Sequence, residues 1–364
     1  MKIRASFSAL FLFILIAAYE LVSCNSQPAK LALDVAKEPF KNLSEYNIFI
    51  GALKNLKPNE RIIPYDLNSS LFTDYAFKKR FVYVPEGKSA TYDTTDAFNL
   101  PVGSFLVKNF YYPLDFRKPD GDKKIIETRL LVHRANGWDA LEYTWNDEQT
   151  EATLNSIGAF KEVSWIHFDG SKKSVEYVVP SKNQCKGCHW HNNTKILPIG
   201  PKIRNLNKDY AYAEGTENQL SRWAKLGLLS NLPAVETVPK TPNWEDSVHY
   251  NLDQRARAYL DMNCGHCHNP KGPAYTSGLY LNWENENPEN LGICKTPVAA
   301  GKATGGNYFD IVPGKANESI VIHRMLSNDP GVRMPELGKQ LIHTEGVALI
   351  SRWINALNAA PCKL

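Results

Sequence analysis

Short apolar and aromatic runs, broken by turn residues, occupy the chain from about residue 45 to residue 180. Phe81 to Val84, Ser104 to Lys108, Ile125 to Val132, Ala140 to Trp145, Val163 to His167 and Val175 to Val179 are rich in β-branched and aromatic side chains, which suit a pleated, half-buried surface. Asp169-Gly170 between the last two predicts a tight hairpin turn. Residues 45–180 are therefore expected to form an all-β domain, a sandwich or open barrel. Past Pro180 the period changes. Leu220, Trp223, Ala224 and Leu228, then Ala256, Tyr259, Leu260 and Asn263, then Gly346, Ile350, Trp353, Ile354 and Leu357 recur at helical spacing, the last group with Thr344 as N-cap. The expected fold class is multidomain: an all-β N-terminal part followed by mainly α regions over 181–250 and 251–364.

The N-terminus follows another pattern. Lys2 and Arg4 precede an apolar run from Ala9 to Ala18, too short to span a bilayer and suited to an export signal. Leu21-Val22-Ser23-Cys24 resembles a bacterial lipobox. That resemblance implies a signal peptide over 1–23, lipidation at Cys24, a tether over 24–44 and a periplasmic or cell-surface protein anchored to a membrane. A simple cleaved signal or an uncleaved anchor is the competing reading. The composition, 43% hydrophobic and 22% charged, is that of a globular protein. A net charge of +4 without a Lys/Arg block gives no reason to expect a nucleic-acid partner.

Export asks each of the seven cysteines for an explanation, because free thiols rarely persist outside the cytoplasm. Cys24 takes lipid, Cys185, Cys188, Cys264 and Cys267 form two pairs, and Cys294 and Cys362 are left as one possible disulfide. Cys185-Lys186-Gly187-Cys188-His189 and Cys264-Gly265-His266-Cys267-His268 both read C-x-x-C-H, the attachment signature of c-type haem. Two thiols at this spacing can add to the two vinyl groups of one porphyrin, and the following imidazole reaches the iron. A thioredoxin-like motif needs no such histidine and belongs near a βαβ pattern. Zinc ribbons place their two pairs about 15–20 residues apart, far closer than Cys188 and Cys264. Two covalently bound haems, with iron ligands His189 and His268, are the expected cofactors.

Around the second motif, the order Asn269-Pro270-Lys271-Gly272-Pro273, Arg333-Met334-Pro335-Glu336 and a closing helix resembles class I cytochrome c over roughly 253 to 357. The resemblance implies Met334 as distal ligand, with Met325 as its rival, and a thioether opposite imidazole favours electron transfer over oxygen binding. After the first motif no Met-Pro pair follows. Met262, His249, His191, His167 and His133 are its candidate distal ligands. The whole arrangement, lipobox, β-rich region and two C-x-x-C-H motifs, is similar to a family of exported bacterial di-haem c-type cytochromes.

Electron transfer between redox partner proteins at the periplasmic or outer membrane face is the leading functional expectation. A di-haem peroxidase using an open first haem is an enzymatic alternative. The third reading makes the β-domain a module that binds a partner or ligand and is served by the haems. No residue is assigned a catalytic role.

Overall fold

The computed structural model describes residues 29–93, 98–358 and 361–363. The expected signal peptide and Cys24 lie outside the described residues. Ala32–Leu364 form one compact unit.

The aromatic and β-branched runs become strands β1 (Ile63–Tyr65), β2 (Phe77–Tyr83), β3 (Ala90–Thr91), β4 (Phe105–Pro113), β5 (Lys123–Arg134), β6 (Gly137–Trp145), β7 (Ala152–Leu154), β8 (Ala159–Ile166) and β9 (Lys172–Val179). Six of them make an antiparallel sheet in the order β1-β2-β4-β5-β6-β7. β8 and β9 form a separate hairpin around Asp169-Gly170, with Gly170 at φ 82°. Phe110, Tyr112 and Ile126 of the sheet share a buried core with Val163, Trp165, Val175 and Tyr177 of that hairpin. Elsewhere on the sheet, Val82 and Leu106 pack with Leu220, Trp223 and Met262 from the second half of the chain. The region that reads as a separate β-domain thus supplies one side of a core completed by residues beyond 200.

The helices are α1 (Lys182–His189), α2 (Ile203–Leu206), α3 (Gln219–Lys225), α4 (Leu252–Leu260), α5 (Ile320–Leu326) and α6 (Thr344–Ala356). They correct the expected fold class. The structure is mostly β, built on the six-stranded sheet, and the second half is not a set of mainly α, cytochrome c-like domains. Among the described helices only α6 runs beyond nine residues. Turn chemistry outweighs helical periodicity: Pro270, Pro273, Pro288, Pro297 and Pro313 interrupt the segment between α4 and α5, and Gly278, Gly292, Gly301, Gly305, Gly306 and Gly314 sit there at positive φ.

Helices α4 and α6 pack together at Gly346, where an added Cβ would lie 2.2 Å from Tyr259 Oη. The Tyr259 hydroxyl is itself held 2.9 Å from His343 Nδ1. Gly346→Val is expected to force these helices apart and to lower stability by about 1–3 kcal/mol, as overpacking does. Chemical denaturation of the variant checks this.

Cys294 and Cys362 are disulfide-bonded across 68 residues, the pairing left open by the cysteine inventory. The bond ties a loop beyond the second motif to the C-terminal segment. On loop-closure entropy, Cys294→Ser together with Cys362→Ser should lower stability by about 2–4 kcal/mol. An unfolding midpoint unchanged by the double substitution would remove that contribution.

Candidate functional site

The first motif is placed by a sharp change of backbone. β9 ends before Pro180, and Ser181 caps α1 through a capping box in which Gln184 Oε1 accepts the Ser181 N–H at 2.8 Å. Cys185, Cys188 and His189 then lie at i, i+3 and i+4, on one face of the helix. The chain leaves α1 as a short ribbon pairing Trp190-His191 with Lys195-Ile196. That return places the Leu197 carbonyl 2.7 Å from His189 Nδ1. It is therefore the Leu197 carbonyl that orients the imidazole. Burial pushes His189 down to about 4 against that backbone partner, so the ring is neutral, the form a metal ligand requires.

Cys185, Cys188 and His189 line a cavity of about 160 Å³ whose other walls include Pro198, Ile199, Met262 and the sheet residues Leu106 and Leu131. Of the proposed distal ligands, Met262 is buried and on this wall. His249 is on the surface, its Nδ1 2.8 Å from Asp246 Oδ2. His133 stacks on Trp138 and contacts the Leu100 carbonyl, and His167 packs against Tyr75 and Phe116.

The second motif follows α4, which Asn251 caps by accepting the Gln254 N–H at 2.9 Å. The helix continues into a π turn, Asp261–Gly265, that carries Cys264. Cys267 N–H and His268 N–H both donate to the Cys264 carbonyl, at 3.0 and 2.9 Å. His268 Nδ1 lies 3.4 Å from Ser277 Oγ, and the Leu279 backbone is a further partner. Burial pushes His268 down to about 4. Cys264, Cys267 and His268 line a cavity of about 320 Å³ with Met325, Met334, Leu279, Leu281 and Pro273. Both candidate thioethers are thus brought to the second motif.

The Met334 loop is fastened by a residue that the sequence did not single out. Lys339 is 2% exposed, and its Nζ donates to the carbonyls of Met325, Ser327 and Met334 at 2.6, 2.9 and 3.2 Å. A buried ammonium here acts as a three-way tie between the end of α5 and the methionine loop.

The two motifs, far apart in sequence, meet in space. Ligand atoms of Cys188, His266 and Cys267 lie within 4.8 Å of one another, and Cys267 Sγ is 3.4 Å from the Gly187 carbonyl. Phe72, Asn263, His266, Pro335 and Leu337 line both cavities. Gly187 packs beneath Leu337, whose Cδ1 would lie 2.9 Å from a Cβ added there.

The donor chemistry fits two porphyrins. Each cavity has its own motif's two thiols on its wall, a neutral buried imidazole whose Nδ1 is engaged, leaving Nε2, at least one thioether, and a largely apolar lining; Cys188 of the first motif borders the second cavity as well. Cys188, His266 and Cys267 alone offer three donors to a single metal ion, one short of a closed structural zinc site, and leave Cys185, Cys264, His189 and His268 unused. Among the described residues, no helix is long and apolar enough to cross a membrane. No family model, no curated protein and no solved structure matches this chain.

Proposed function

We propose that this chain is a di-haem electron-transfer protein, exported and lipid-anchored through Cys24, in which each C-x-x-C-H motif holds one haem covalently. His189 and Met262 would hold the iron at the first motif, and His268 and Met334 the iron at the second. The observation that carries this reading is the double cavity: two motifs, each with its thiols, imidazole and thioether on one wall system, adjoin at Cys188 and Cys267. When bound, haem supplies a reversible one-electron couple, and His/Met ligation favours carrying electrons over binding oxygen. The chain's own part is to exclude water from both centres, hold the two imidazoles by Leu197 and Ser277, and keep the Met334 loop in place through Lys339. The adjoining cavities suit a short relay between a donor and an acceptor protein.

The Met262 thioether on the first wall favours the carrier over the peroxidase reading, because it offers that centre a second ligand. Absorption and EPR spectra of the purified holoprotein in both redox states test this. Two low-spin centres and no peroxide turnover are expected. A high-spin first centre that oxidises a reduced cytochrome with peroxide would replace the carrier with a peroxidase.

The cluster of Cys188, His266 and Cys267 supports a second reading, a bound transition metal in place of haem. Metal analysis separates the two: stoichiometric zinc without iron would establish it.

A further inference from the structure

The sheet face that walls the first cavity carries an unusual row of charges. Arg80 of β2 stands opposite Lys108 of β4, Lys108 opposite Arg129 of β5, and Arg129 opposite Glu142 of β6. All four line the cavity that holds Cys185, Cys188 and His189. Directly opposite side chains in an antiparallel sheet have Cβ atoms about 4.5–5.5 Å apart, and like charges so placed repel. Three neighbouring basic groups on a buried wall therefore call for balancing negative charge, or must give up a proton.

The protein supplies only part of it. Arg80 is 4% exposed and pairs through Nη1 with Asp66 at 2.8 Å, while its Nη2 is buried without a partner. Arg129 is bound to Glu127 by two contacts of 2.8 and 2.5 Å, and Glu127 also accepts from the Tyr177 hydroxyl. The Lys108 Nζ has no ion pair or hydrogen bond among the described residues and lies 4.7 Å over the Phe110 ring. Burial and the neighbouring Arg80 hold the Lys108 ammonium well below its usual range. Glu142, pushed up to about 8 by burial and then by Glu127, gives the row little negative charge near neutral pH.

We infer that Arg80 and Lys108 form a carboxylate-binding wall whose occupants are the carboxylates of the porphyrin held at Cys185 and Cys188. This rests on the di-haem reading above. Arg129, paired with Glu127 and within electrostatic reach of the Cys185 thiol, lies at the attachment edge. In a c-type haem the thioethers form at one edge of the ring and two carboxylate side chains hang from the opposite edge. A porphyrin tethered to α1 and lying across this cavity would bring those carboxylates to the far wall, where charge-assisted hydrogen bonds to Arg80 Nη2 and Lys108 Nζ would satisfy groups that otherwise lack partners. The β-region thereby gains a function: it is the electrostatic half of the first cofactor site.

The test uses full-length holoprotein in three forms, wild type, Lys108→Met and Lys108→Arg, with haem counted by the pyridine haemochrome and potentials read by redox titration. The expected result is two haems per chain in all three. One centre should have a lowered potential in Lys108→Met and be restored in Lys108→Arg, since a nearby cation disfavours the ferric state. Coincident potentials in all three proteins, with two haems retained, would overturn the carboxylate wall and leave the di-haem reading intact. A wild-type count that Cys185→Ala/Cys188→Ala does not reduce would instead overturn the di-haem reading itself. A saturable shift on adding succinate or phosphate to wild type, lost in Lys108→Met, would assign the row to a free anion and overturn the porphyrin assignment. Lys108→Met removes a buried unpaired charge and is expected to fold; should it not, Arg80→Gln is read in the same way.

Discussion

Met334→Ala is expected to keep two covalently attached haems and to lose the thioether at one of them. The cavity around Cys264, Cys267 and His268 has Met325 and Met334 on its walls, and the carbonyl of Met334 is tied by Lys339 at 3.2 Å. Met325 lies within α5, is 8% exposed and packs with Tyr259, Ile350 and Trp353, so its side chain is engaged in the core. Removing Met334 should lower one potential by on the order of 0.1–0.3 V, inside the roughly 0.8 V range that axial ligands command, and open that centre to carbon monoxide. Redox titration and carbon monoxide difference spectra measure both effects. An unchanged spectrum in Met334→Ala, with the effect appearing in Met325→Ala, would transfer the ligand role to Met325.

Asp261→Ala should produce the largest loss of stability. Asp261 and Arg204 form a bidentate pair, 2.8 and 3.1 Å, with side chains 4% and 3% exposed, and Asp261 also accepts the Trp283 N–H at 2.9 Å. The pair joins α2 to the π turn that carries Cys264. Without the carboxylate, the buried guanidinium keeps only the partly exposed Glu284 as a charged partner, and breaking such a pair lowers stability by about 3–5 kcal/mol. Burial acts to raise the Asp261 carboxyl, but Arg204, Lys202 and the Trp283 N–H outweigh it and hold it below its ordinary value. A depressed carboxyl contributes stability that is full above the unfolded-state value near 4 and is lost as pH falls through the folded value. The gap between wild type and Asp261→Ala in urea denaturation should therefore be wide at pH 7 and narrow in acid below that value. Equal gaps at both would show that the pair does not titrate with folding.

Much of the sheet was legible in local pattern. The runs around Phe81, Ile125, Ala140 and Val175 are strands because β-branched and aromatic residues line up between turn formers, and Asp169-Gly170 closes the hairpin as its chemistry requires. The helical stretches at 252–260 and 344–356 were equally visible. Extending those stretches to mainly α domains failed, because glycine and proline density between them fixes loops. The two motifs named their own cysteines and histidines, and Met262 and Met334 were among the named methionines. What no local pattern carries is register. Arg80, Lys108 and Arg129 each look like the polar position of an alternating strand, and only the pairing of β2, β4 and β5 sets them side by side on a cavity wall. Lys339 likewise reads as a surface lysine until the loop folds around it.

The central claim is that both C-x-x-C-H motifs carry covalent haem. Intact-mass spectrometry of the purified protein, with Cys185→Ala/Cys188→Ala and Cys264→Ala/Cys267→Ala beside it, tests it most directly. The expected result is a mass increment of two haems in the wild type and one in each double variant. A wild-type protein without a haem increment, or with one that neither double variant alters, would contradict it.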